Sequence, residues 1–136
     1  MSSINRVILY TALLAIAAGC AGVSATSRTG VIHDVRFEEH MTPASLQVQP
    51  GDEVRWVNHR SMPVTVEFLG EALDDVTCQR GFDNLMGRQQ EMATVQPNQS
   101  VSLCFVNPGT VTYNARMDSA VAGGQMIESG TIHVGQ

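Results

Sequence analysis

The chain has 136 residues, 43% of them hydrophobic and 15% charged, with a formal net charge of −5. That length fits one domain, and that balance supports a packed core rather than a disordered chain. Its eight basic residues are all arginines, scattered along an acidic chain, which excludes a nucleic-acid role driven by phosphate neutralisation.

At the N-terminus Arg6 precedes the apolar run Val7–Ala18, followed by Gly19-Cys20. A short positive region and an apolar stretch too short to span a bilayer predict a secretory signal. Ala17-Ala18-Gly19-Cys20 resembles a bacterial lipobox. That resemblance implies removal of residues 1–19, a lipid on Cys20, and contact with a membrane through that lipid rather than a span. Ala21 is not acidic, which in Gram-negative lipoproteins implies the outer membrane, facing the periplasm. The plainer alternative is cleavage near Ala25 with an incidental cysteine. Residues 20–30 are small and polar and read as a flexible tether; residues 31–136 then form the domain. In an exported chain Cys78 and Cys104 predict one disulfide.

Within the domain, Val31–Phe37 is a first strand with Val31, Val35 and Phe37 on one face. Leu46 and Val48 alternate with polar neighbours, Pro50-Gly51-Asp52 is turn chemistry, and Val54 and Trp56 alternate again. Asn58–Pro63 is a loop, and Val64, Val66 and Phe68 face inward on the next strand. Residues 69–92 show no strand pattern and are expected to form an irregular or partly helical excursion that packs Phe82 and Leu85 on the body. Ala93–Val95 is a short strand and Gln96-Pro97-Asn98 a turn. On Ser100–Val106, Val101, Leu103 and Phe105 point inward, leaving Cys104 outward beneath the excursion, where Cys78 would staple it. Val111, Tyr113 and Ala115 alternate inward. Arg116–Glu128 reads as a loop, and Gly130–Val134 closes the chain. Seven to eight short strands without a helical period predict an all-β sandwich.

Met41–Asn58, with its Pro50-Gly51-Asp52 turn and a strand ending Trp56-Val57-Asn58, resembles the opening hairpin of the cupredoxins. The resemblance extends over about residues 31–134. It implies a plastocyanin- or azurin-like Greek-key sandwich whose copper is held at one end by two His, one Cys and a weak axial Met. Asn58, Pro63 and Val66 fit the family's first-ligand stretch, but Val64 stands at the first His. Counting from the turn at Gly109 places Ala115 at the Cys and Asp118 at the second His. Glu128 is nearest the axial Met. The scaffold is thus expected without a type-1 copper site, because the thiolate is its indispensable ligand.

Two readings of that end follow. In the first, the chain is a non-enzymatic binding or interaction module with no cofactor and an unidentified protein partner. In the second, the chain is a Cu(I) carrier or electron-transfer protein in which His59, Met62, Met117 and Met126, all expected in loops, hold the ion, since imidazole and thioether suit it; otherwise the methionines fill an apolar gap. Arg60, Arg116, Asp118 and Glu128 are expected nearby, either as a salt-bridged cap or as a contact for an anion or partner. His33, His40 and His133 lack metal-ligand spacing. Asp74-Asp75 and Glu38-Glu39 read as solvated pairs. Neither a nucleophile–base set, a phosphate loop nor a zinc spacing is present, so no enzyme is expected.

Overall fold

The computed structural model describes residues 29–70, 72–74, 76–119 and 121–135. The signal at 1–19, lipidation at Cys20 and the tether up to residue 28 lie outside the described residues. The strands are β1 (Ile32–Phe37), β2 (Met41–Thr42), β3 (Ser45–Val48), β4 (Glu53–Asn58) and β5 (Val64–Phe68). They continue as β6 (Val76–Arg80), β7 (Met92–Val95), β8 (Ser100–Phe105), β9 (Gly109–Asp118) and β10 (Gln125–Val134). One five-stranded sheet runs β2-β1-β4-β8-β6 and the other β3-β10-β9-β5-β7. Two pairings are parallel, β1 with β4 and β3 with β10, so the opening hairpin splits, sending β3 to one sheet and β4 to the other.

The core lies between the sheets, where the period-2 pattern puts it. Val35, Phe37, Val54, Trp56, Leu103 and Phe105 face it from the first sheet. Val64, Val66, Phe68, Tyr113, Ala115, Met117, Ile132 and Val134 face it from the second. At its centre the Trp56 indole meets Phe68, Phe82 and Tyr113 edge-on, with ring centroids 5.6, 5.8 and 5.4 Å away. Such edge-to-face pairs each add about 0.5–1.5 kcal/mol beyond area burial. Burial raises the Tyr113 phenol to about 12, with the neighbouring Trp56 pulling the other way.

Several expectations need correction. The strands number ten among the described residues, not seven or eight. The excursion at 69–92 contains no helix among its described residues, and it contains β6. This strand lacks an apolar alternation because it is an edge strand, bonded on one side only and interrupted by a bulge. Cys78 and Cys104 are direct cross-strand partners, joined by a disulfide with Cα atoms 4.9 Å apart. The excursion therefore extends the sheet beside Cys104 instead of lying over it. Phe82 is fully buried as expected, whereas Leu85 is fully exposed. Val31 is nearly half exposed and precedes the strand. The loop read at Arg116–Glu128 shrinks to residues 119–124, because β9 and β10 continue their ladder out to Asp118 and Gln125. There Glu128 occupies an inward position, which hides the apolar pattern.

Candidate functional site

The end of the sandwich beyond Asn58 holds most of the residues singled out in the sequence. Asn58 ends β4, is fully buried and organises the loop that follows. Its Nδ2 donates to the carbonyls of Met62 and Val95, both at 2.9 Å, and its Oδ1 accepts from the Arg60 N–H at 2.8 Å. One side chain thus ties the loop 59–63 back to β7. Pro63 then leads into β5, and Val64 enters the core opposite Met117 and Val95.

Ala115 is fully buried, paired with Val66 on one side and Glu128 on the other. Asp118 is exposed at the end of β9, where its carboxylate accepts from Gln125 Nε2 at 3.3 Å. Glu128 is half-buried, and its two oxygens are both engaged. Oε1 meets His40 Nδ1 at 2.8 Å and Oε2 accepts the Met41 N–H at 2.6 Å. Its carboxylate holds the exposed His40 imidazole above its ordinary pKa. The Glu128 side chain therefore fastens the short β1–β2 turn to β10.

The arginines close the end differently from the expected cap. Arg60 reaches across with Nη1 on the Glu38 carbonyl at 2.7 Å and Nη2 on the Asp118 carbonyl at 2.8 Å. It straps main chain to main chain instead of pairing with a carboxylate. Arg116 points away from the core and pairs with Glu67 at 2.6 Å.

The four residues of the alternative copper set do not share one surroundings. His59 is exposed and lines a groove on the outer face of the first sheet with Asp34, Arg36, Arg55 and Ser100. Met62 is half-buried beside a different depression formed by Asp118, Ser119 and the loop to Gln125. Met117 and Met126 lie on β9 and β10 rather than in loops, and they are direct cross-strand partners. Met41, which the sequence reading passed over, is buried at the same end. Among the described residues, every methionine with a buried or half-buried side chain sits here, while Met86 and Met92 are exposed. No group of three or more His, Cys, Asp or Glu among the described residues is arranged to hold a metal ion.

The opposite end carries a second polar cluster. Asp52 is buried and accepts from Thr29 Oγ1 and, at 3.0 Å, from the Gln49 N–H; it also bonds His33 Nε2 at 2.8 Å. Burial pushes its pKa up, but these bonds outweigh it and hold the carboxyl below its usual range. This cluster fixes the chain as it enters β1.

Solved structures with a similar chain path include amicyanins. A Cu(I) mutant of amicyanin matches with 21% identity and a TM-score of 0.52, covering 76% of this chain and 81% of that one. A second Cu(I) mutant matches at 23% identity and 0.51, covering 77% and 82%. A reduced amicyanin mutant matches at 20% and 0.51, covering 76% and 81%. The fold is cupredoxin-like. No protein-family model matches the chain, and no curated protein does. At this identity the likeness concerns the cupredoxin-like scaffold alone. The Cys78–Cys104 disulfide is a feature of this chain's own first sheet.

Proposed function

We propose that the chain is a non-enzymatic binding or interaction module, tethered to a bacterial envelope membrane through a lipid on Cys20. In this reading its cupredoxin-like domain carries no type-1 copper. One observation supports the copper part above all. Cys78 and Cys104 are bonded to each other in the first sheet, and Ala115, which the spacing from Gly109 aligns with the family's thiolate, is fully buried. A blue site depends on a thiolate ligand, so the residues present do not fit one. Val64, which the sequence aligns with the family's first imidazole, is fully buried among apolar neighbours, which also suits a packed end.

Titrating the protein with Cu(II) under visible absorption tests this. The wild-type chain stays colourless, and V64H/A115C/D118H gains an intense blue band while keeping its fold. A blue wild-type protein overturns the reading, and a folded, colourless triple variant overturns the alignment of those positions.

A second reading, a Cu(I) carrier, is favoured by the gathering of Met41, Met62, Met117 and Met126 at one end. The amicyanin neighbours include Cu(I) forms, which keeps that ion in view. Competition against a colorimetric Cu(I) chelator decides it. If this reading holds, M62L/M117L/M126L lowers the affinity at least tenfold; unchanged competition removes it.

A further inference from the structure

Four of the exposed large apolar residues fall on the excursion and its flanks: Leu69, Leu85, Met86 and Met92, at 47, 108, 79 and 54% exposure. Their setting is ordered. Asp83 and Gln89 form a bridge, and Asn84 closes the tip between them. Asn84 Oδ1 accepts from the N–H groups of Met86 and Arg88 at 2.9 and 3.0 Å, and the Gly87 N–H donates to its carbonyl at 2.9 Å. Gly87 takes φ +72°, which lets so tight a turn form. Behind the tip, Phe82 is buried in the core, the Gln90 N–H bonds the Phe82 carbonyl at 2.7 Å, and Gln89 Nε2 bonds the Leu73 carbonyl at 2.6 Å. The disulfide holds the strand that leads in. Two large apolar side chains are thus presented to water on a pinned hairpin.

We propose that the Leu85–Met86 tip is a docking knob for a protein partner whose apolar pocket carries a basic rim. This deepens the reading of the chain as an interaction module and rests on it. A preordered knob loses little conformational entropy on binding, and Met adapts to an irregular pocket. An apolar centre within a polar rim is the anatomy of a protein interface. The excursion at 69–92 carries five acids against Arg80 and Arg88, and of those acids Asp74, Asp83 and Glu91 are exposed without an ion-pair partner among the described residues. That charge complements a basic rim and opposes an anionic bilayer.

The test places the photoreactive residue p-benzoylphenylalanine at position 85 of the full chain, and separately at position 121 as an exposed control, in the cell that natively makes the protein. The expected result is one dominant protein adduct, at least tenfold stronger from 85 than from 121. The adducted protein, purified, should then bind wild type at least tenfold more tightly than L85S/M86S, and more tightly than D83K/E91K. Near-ultraviolet circular dichroism of Trp56 and Tyr113 checks that both variants keep the fold. An adduct to phospholipid, an adduct to a second copy of the chain, or an affinity untouched by L85S/M86S overturns the knob. An adduct from 121 alone also overturns it while leaving the interaction module standing. No adduct from either position overturns both.

Discussion

Gly130 lies directly beneath the ring of Tyr113. The two are cross-strand partners on β10 and β9, and a Cβ at Gly130 would sit 2.2 Å from Cζ and 2.4 Å from Oη of the tyrosine. No real Cβ tolerates that distance, and the ring is boxed in by Trp56 and Phe68. Gly130→Ala is therefore expected to lose about 1–3 kcal/mol through overpacking. In a Tyr113→Leu background the same change should cost far less. Urea denaturation of the four proteins in this cycle measures the coupling, and additive losses would show that the ring does not set the requirement.

The disulfide closes a loop of 26 residues. Chain entropy alone then gives it about 3.5 kcal/mol. C78A/C104A should lose about that much in a denaturant series, and wild type should follow it on adding reductant. Equal midpoints with and without reductant would mean that β6 is held by its ladder and by Phe82, not by the bond.

His40 and Glu128 form a pH-sensitive fastening. The folded-state pKa of His40 is raised, chiefly by the Glu128 hydrogen bond. Its contribution to stability is therefore fully present below the unfolded imidazole value and is lost as pH rises through the raised folded value. Proton NMR titration should show His40 titrating above the ordinary imidazole value, and Glu128→Gln should bring it down. If His40 titrates unchanged in that variant, the contact does not persist in solution.

Asn58 is expected to be the least replaceable polar residue of its pole. Asn58→Ala removes three hydrogen bonds and leaves two carbonyls and one N–H in or near the buried end, costing about 1–3 kcal/mol. Asn58→Asp should cost more, although it is nearly isosteric, because a carboxylate cannot donate to the carbonyls of Met62 and Val95. Thermal melts rank the two. An aspartate variant as stable as wild type would mean that the loop 59–63 is held by other contacts, the Arg60 strap foremost.

By itself the sequence determined the strands whose apolar residues alternate, from Val54-Arg55-Trp56 to Val64-Thr65-Val66 and Val101–Phe105. Period-2 burial is written in each strand locally, whatever it pairs with. Two cysteines in a chain read as exported left one pairing available, and Phe82 was legible as the anchor of the excursion. Tertiary structure alone decided what depends on register between distant segments. Glu128 meets His40 across 88 residues, and no local pattern announces it. The edge strand β6 is specified by its partner β8 and by the disulfide, so its own residues carry no alternation. Leu85 read as core because leucine usually is. Asn84 and Gly87 instead turn the chain at the tip, and a side chain at a tight hairpin tip has no neighbouring layer to pack against. The separation of His59 from the methionines has the same origin. His59 leaves β4 on the outer face of one sheet, while Met117 and Met126 belong to the other.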